Sequence, residues 1–298
     1  MSLPVVFLHR GDHKYLKIAI NRAKKSGNEV YLLGENSNKD FCNNWINMDT
    51  LQSDRIIAFK NAYVHMSTNP KEFELLCILR YFYLHEMMLQ NNLSGIILAD
   101  SDCLIYKKYE DEEYAPFDCA FGWDFDARPG YICPSSCYWT LQALEHFTSF
   151  CLDAYTNNLD ILKEKWAAYK GKQGGISDLT LLHMWYLSTP PLQILNLMED
   201  KSAIFEYVPA WDHDKKHLYQ HNEFTKLLKI KFIDNKPYFI RMDGSLQSVN
   251  NLHMHGGKKI YMGLFDKYKE NGISFYLLEC YRRLKWRIVR TVYKARKK

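Results

Sequence analysis

The sequence predicts an α/β fold, and two observations carry that prediction. Short apolar runs of strand length alternate with stretches whose apolar residues recur at helical spacing. One such run, Gly95-Ile96-Ile97-Leu98-Ala99, stops abruptly at Asp100-Ser101-Asp102. Buried parallel strands read as unbroken apolar runs, and open α/β sheets bind ligands beyond the C-terminal ends of their strands. Two carboxylates placed there converge on a hard divalent cation of the kind shared with substrate phosphates. The plainer alternative is an acidic turn, since Asp and Ser are ordinary turn residues. Asp-x-Asp recurs at Asp124/Asp126 and Asp212/Asp214, but only the first pair directly follows an apolar strand.

In chain order, residues 4–9 form a strand of buried type, stopped by Arg10-Gly11-Asp12. Tyr15, Ile18, Ala19 and Ala23 then mark a helix, with Gly27 as its stop signal. Residues 29–33 form a second strand closed by Gly34. This opening implies a parallel, right-handed βαβ unit whose first loop lies at the ligand edge. A short third strand is expected at 45–48, followed by helices over 51–66 and 71–90. The second helix carries Phe73, Leu76, Leu79, Arg80, Phe82 and Tyr83. Beyond the strand at 95–99, residues 109–117 read as an acidic, mobile connection and 118–122 as a strand. Ser135-Ser136 reads as the cap of a helix running to about residue 156, and 160–170 as another helix. Gly174-Gly175-Ile176-Ser177-Asp178 breaks the pattern and starts a further helix, with Asp178 at its N-terminus and eligible as its cap. Residues 228–241 alternate around Asn235-Lys236-Pro237 and predict a hairpin. No repeat or low-complexity linker interrupts the chain, so one domain over 1–262 with an extension over 263–298 is the economical division.

At 298 residues, with 47% hydrophobic and 24% charged content, the chain is an ordinary soluble globular protein by composition. Its eight cysteines are scattered, and Cys133 and Cys137 have no matching second pair for a zinc site. They are expected to be reduced thiols in a cytosolic protein. Met1-Ser2-Leu3-Pro4 lacks the basic start of a signal peptide, and no run reaches transmembrane length. The net charge of +5 sits at the end. Between Arg282 and Lys298 there are nine Lys/Arg and no acid, leaving 30 basic against 34 acidic residues elsewhere.

A second constellation follows far downstream, in Leu252-His253-Met254-His255-Gly256-Gly257-Lys258-Lys259. A short strand delivers an imidazole, two glycines let the backbone turn, and two ammonium groups follow. Imidazole completes a coordination shell begun by carboxylates and suits Mn²⁺ better than Mg²⁺. Gly beside Lys is a workable diphosphate grip.

With Asp-x-Asp after a buried strand and His253-x-x-Gly256-x-x-Lys259 near the end, residues 4–262 resemble glycosyltransferases of the GT-A fold. The likeness is to bacterial enzymes that extend lipopolysaccharide, lipooligosaccharide or capsule chains. The resemblance implies a Rossmann-like nucleotide-binding single domain with a mixed, mostly parallel central sheet. It further implies that Asp100, Asp102 and His253 hold Mn²⁺ or Mg²⁺, with Mn²⁺ favoured, on the diphosphate of a nucleotide-sugar donor. UDP is the favoured nucleotide. Lys259, Gly256, Gly257, Ser101 and Arg80 would serve the donor, and His9, Arg10, Gly11 and Asp12 its base and ribose. Gly174, Gly175 and Asp178 match the family's loop and acid that face the donor sugar. Asp178, Asp124 and Asp126 are the candidate catalytic carboxylates, and retention is favoured over inversion. This chain departs from the retaining pattern at Ser177, Thr180 and Leu182. His255 rivals His253, but only His253 has Gly at the third and Lys at the sixth position after it. Trp123, Tyr138, Trp139 and Trp211 are candidates for stacking on sugar rings.

The residues over 274–298 mix Phe275, Leu278, Tyr281, Leu284, Trp286, Ile288, Val289 and Val292 with basic side chains. That mix suits a helix lying on an anionic membrane surface, and predicts a cytoplasmic enzyme peripheral to the inner face of the cytoplasmic membrane, acting on a glycan or lipid-linked acceptor. Nucleic acid is not an expected partner, because its binders spread basic charge over a folded face. The rival readings are another metal-dependent phosphate-ester enzyme, such as a nucleotidyltransferase, and a non-catalytic membrane or nucleic-acid binder acting through the tail.

Overall fold

The computed structural model describes residues 2–123, 130–169, 174–198, 218–270 and 272–295. In chain order the strands are β1 (Val5–Leu8), β2 (Val30–Gly34), β3 (Asn44–Asn47), β4 (Gly95–Ala99), β5 (Cys103–Ile105), β6 (Cys119–Gly122), β7 (Cys133–Thr140), β8 (Ile194–Asn196), β9 (Ile230–Ile233), β10 (Lys236–Ile240), β11 (Leu246–Ser248) and β12 (Asn251–His253). The helices are α1 (Lys14–Lys25), α2 (Asp54–Ala62), α3 (Lys71–Gln90), α4 (Asp111–Tyr114), α5 (Leu141–Thr156), α6 (Leu159–Ala167), α7 (Asp178–Leu187), α8 (Met262–Phe265) and α9 (Ile273–Ala295).

Packing groups the chain into two compact units. The first comprises Met1–Asp12, Asn28–Asp100 and Tyr109–Met198, and the second His13–Gly27, Ser101–Lys108 and Glu199–Lys298. The chain therefore leaves the first unit immediately after Asp100.

The first unit is a mixed, mostly parallel seven-stranded sheet with helices, in the order β3-β2-β1-β4-β7-β6-β8. β1 pairs in parallel with β2 and β4, with Val5 opposite both Val30 and Ile97. β7 then turns the direction, pairing antiparallel with β4 and with β6. β4 is buried along its whole length, as an unbroken apolar run requires. α3 is buried on most sides; Tyr81, Phe82, Tyr83 and Leu84 are all in the core. A cluster of Phe121, Trp139, Phe147 and Trp185 fills the space between sheet and helices, with ring centroids 5.3–6.2 Å apart. Trp139 is therefore a core residue, with no face left for a sugar.

Two expectations are corrected in this unit. Ser135 and Ser136 do not cap a helix: they lie within β7, with Ser136 opposite Ala99. The buried, antiparallel partnership with β4 overrides their local capping preference. The cap belongs to Thr140, whose hydroxyl accepts from the Ala143 amide at 3.2 Å. The stretch 109–117 is not a loose connection either. It holds α4, anchored by Tyr109 and Tyr114, each 1% exposed.

The second unit contains a three-stranded sheet, β11-β10-β9, and the pair β12-β5. The β9–β10 hairpin turns through Asp234 and Asn235, both with positive φ, which short Asx side chains tolerate. α1 is fastened to β5 by the Ser26 hydroxyl, donating to the Ile105 carbonyl at 2.8 Å.

α9 runs for 23 residues. Ile273, Leu277, Tyr281, Leu284 and Ile288 form a stripe along it, each more than half exposed. The opposite side buries Phe275 and, at 1% exposure, the carboxylate of Glu279. Glu279 accepts from Arg282 Nε at 2.8 Å, Arg283 Nε at 2.9 Å and the Tyr261 hydroxyl at 2.5 Å. Burial opposes its ionisation, but Arg282, Tyr261, Arg283 and Lys258 outweigh burial and lower its pKa from 4.5 to about 2. A carboxylate held down in this way stabilises fully above its unfolded value and loses that contribution as pH falls through the folded one. The protection of α9 amides, taken relative to the intrinsic exchange rate at each pH, is therefore expected to be constant above about pH 4.5 and to fall toward pH 2. In Glu279→Gln this acid-dependent step should be absent; an unchanged acid profile in that variant would contradict the assignment.

Candidate functional site

The second unit brings Asp102, His253 and Lys259 together. β5 and β12 pair antiparallel, with Cys103 directly opposite His253. The Met254 amide donates to the Asp102 carbonyl at 2.9 Å, closing the ladder beside the turn that carries Asp102. His253 Nε2 lies 3.1 Å from Asp102 Oδ1, and Lys259 Nζ lies 3.0 Å from Asp102 Oδ2. Both carboxylate oxygens are thus engaged by groups from one short segment of the late chain. Asp102 is 6% exposed and His253 7%. Burial works against the Asp102 carboxylate, but the hydrogen bond and charge of His253, then Lys259, hold it well below the usual carboxylate range. Burial likewise opposes the Lys259 ammonium, yet Asp102 and Tyr15 keep its pKa above the ordinary lysine value. The Tyr15 ring lies 4.5 Å from Lys259 Nζ, a cation–π distance.

After β12 the chain turns at Gly256, whose φ of +60° favours glycine. A two-turn 3₁₀ helix then runs over Gly256–Tyr261 and presents Lys258 and Lys259. Lys258 does not join Lys259: it donates to the Thr225 carbonyl and lies 3.8 Å from Glu279. His255 is exposed, its ring centroid 5.8 Å from that of His253.

The residues fit a divalent cation. An ionised carboxylate and an imidazole nitrogen 3.1 Å apart are a hard and a borderline donor already at neighbouring-ligand separation. Among the described residues, the one group of three metal-capable side chains is Asp102, Cys103 and His253, with ligand atoms within 4.8 Å of one another.

The first unit holds a separate charged cluster. Arg80 on α3 places Nη1 2.9 Å from Asp100 Oδ1 and Nη2 2.5 Å from Asp178 Oδ2. It also donates to the Tyr81 hydroxyl at 3.0 Å. Asp178 opens α7 and is 2% exposed, but it is not the cap; that role falls to Ser177, which accepts from the Thr180 amide at 3.4 Å. Burial pushes the Asp178 carboxyl above its ordinary range, against the opposing Arg80 guanidinium. Ahead of α7, Gly174 and Gly175 have φ of +126° and +146°. A Cβ on Gly175 would stand 2.4 Å from the Met66 carbonyl oxygen, so this loop accepts only glycine there.

In the loop after β1, the Gly11 amide donates to Glu35 Oε1 at 2.8 Å. Asn38 donates to the carbonyls of His9 and Gly11, each at 3.0 Å, while the Arg10 and Asp12 side chains are exposed. Ser101 follows Asp100 in the turn before β5. Gly257 has the Arg282 side chain 3.6 Å from where a Cβ would stand. Asp124, Asp126 and Trp211 lie outside the described residues. The structure adds Asn38, Glu35, Tyr15, Tyr81 and Cys103, none of which sits in a motif that marks it from sequence.

No protein-family model and no curated sequence matches the chain. Among solved structures it is similar to mouse xyloside xylosyltransferase 1 in its apo form, at 10% identity and a TM-score of 0.46, covering 66% of this chain and 85% of that one. It is also similar to a glycosyltransferase involved in glycosylating the major capsid of PBCV-1, at 9% identity and a TM-score of 0.32, covering 65% and 81%.

Removing one partner from a buried ion pair strands the other charge. Arg80→Met should therefore lower the stability of the first unit by roughly 3–5 kcal/mol, with the hydrophobic replacement keeping the bulk. Urea unfolding measures this directly, and a loss under 1 kcal/mol would show that the cluster does not hold the α3–α7 contact.

Proposed function

We propose that this chain is a metal-dependent glycosyltransferase of the GT-A type, using a nucleotide-sugar donor, with UDP the favoured nucleotide. The observation that carries the reading is the buried Asp102 carboxylate, gripped by His253 at 3.1 Å and Lys259 at 3.0 Å. Asp102 and His253 would hold the divalent cation, Mn²⁺ favoured, with Asp100 two residues earlier in the chain as a further carboxylate. When bound, that cation supplies Lewis-acid stabilisation of the departing diphosphate.

The protein's own groups do the rest. Asp102 is ionised throughout the neutral range, so no proton has to leave before a cation is held. Lys259 stays protonated and offers a positioned charge to diphosphate oxygens, where negative charge grows as the sugar's C1–O bond breaks. The sugar then passes through an oxocarbenium-like state. The roles given above by resemblance to His9, Arg10, Gly11, Asp12, Arg80, Ser101, Gly256, Gly257 and Asp178 belong to this proposal, as do retention of configuration and the division into 1–262 and 263–298. The acceptor is proposed to be a bacterial surface glycan or its lipid-linked precursor. The basic, apolar-striped helix α9 supports a place at the inner face of the cytoplasmic membrane, because apolar side chains flanked by cations suit an anionic lipid surface.

Isothermal titration of UDP and of GDP into wild-type and Asp102→Ala protein, with and without Mn²⁺, tests the donor site. One nucleotide should bind only with metal, and the substitution should abolish that binding. If neither nucleotide binds under any metal condition, the donor-site reading fails.

A further inference from the structure

We infer that Cys103 is a third protein ligand beside Asp102 and His253, so that the site holds a thiophilic divalent cation such as Zn²⁺, Co²⁺ or Cd²⁺ more tightly than Mg²⁺. The inference rests on the metal reading of Asp102 and His253, and is independent of which group the enzyme transfers.

Strand register is the first support. Cys103 and His253 are directly opposed in the antiparallel β5–β12 pair, and directly opposed residues project from the same face of a sheet. Asp102 reaches the same place from the turn before β5. Distance is the second support. One ligand atom from each residue lies within 4.8 Å of the others, and Asp102 and His253 are already 3.1 Å apart. Neighbouring ligands around a tetrahedral cation of this kind stand about 3.3–3.7 Å apart, given metal–ligand bonds near 2.0–2.3 Å. The sulfur thus has little more than an ångström to close at most, which a change of side-chain rotamer supplies.

Burial and charge agree. Cys103 is 0% exposed, and its two companions are nearly so. On binding, the thiol proton passes to solvent and the sulfur joins as thiolate. Carboxylate and thiolate then neutralise the dication, and the Lys259 ammonium, 3.0 Å from Asp102, leaves the cluster with a net positive charge. Such a cluster favours an anionic ligand in its remaining position. Softness decides between metals: a thiolate selects Zn²⁺ and its relatives, while carboxylate and water alone suit Mg²⁺ and Mn²⁺.

Titration of the full chain with Co²⁺, followed by absorption, tests the assignment. Wild type should develop a thiolate-to-cobalt charge-transfer band that saturates at one equivalent. Cys103→Ser should lack that band although the other seven cysteines remain. Its affinity, and that of His253→Ala, should fall at least about tenfold, the lower bound for losing even a supporting partner of a metal site. Cadmium-113 magnetic resonance on wild-type protein alone gives the same answer without a variant, since one sulfur ligand shifts the resonance away from that of an all-oxygen-and-nitrogen site. A cobalt band that survives in Cys103→Ser overturns the inference, as does a cadmium resonance with no sulfur character. Mn²⁺-dependent UDP binding in a protein with no sulfur signal would overturn this inference and leave the glycosyltransferase reading standing. The converse pattern, a sulfur signal with no nucleotide bound, would support the metal site and remove the donor reading.

Discussion

Asp102 is a charge kept out of water, and the late part of the chain is organised around making that tolerable. An isolated buried carboxylate would neutralise itself by taking a proton. Here one oxygen meets an imidazole and the other an ammonium, and both come from a stretch of seven residues that begins as a strand and ends as a tight helical turn. The β5–β12 ladder fixes the height of His253 against Asp102, and the left-handed Gly256 bends the chain so that Lys259 returns to the same carboxylate. Without the ladder the imidazole has no register; without the turn the ammonium points elsewhere. The first unit solves a similar problem differently, with a single guanidinium from α3 serving both Asp100 and Asp178.

Much of this was legible in the sequence, for reasons that differ from residue to residue. The strand at 95–99 appears as expected because a run of apolar residues with no polar interruption has few other places to go. The helix at 71–90 and the hairpin around Asn235 follow in the same way from period and turn chemistry. His253 and Lys259, which only the family resemblance related to Asp102, lie 3.1 and 3.0 Å from its carboxylate. Ser135 and Ser136 misled because a local capping preference is worth about 1 kcal/mol, less than a full antiparallel partnership in the core contributes. Cys103 was invisible for another reason. Its significance depends on which residue stands opposite it, and cross-strand register is not written in the neighbourhood of either partner. Arg80 could be placed on a helix by pattern, but not bridged between carboxylates 20 and 98 positions away.

The buried contacts of Glu279 have a mechanical consequence. Tyr261 and Lys258 come from the same short turn as Lys259, and Glu279 ties that turn to α9. A helix of 23 residues is about 35 Å long, so α9 is a long lever bolted near its base to the turn that carries the ammonium. The seating of that turn, and with it the 3.0 Å approach of Lys259 to Asp102, thus depends on α9 keeping its place as well as on the strand that precedes the turn.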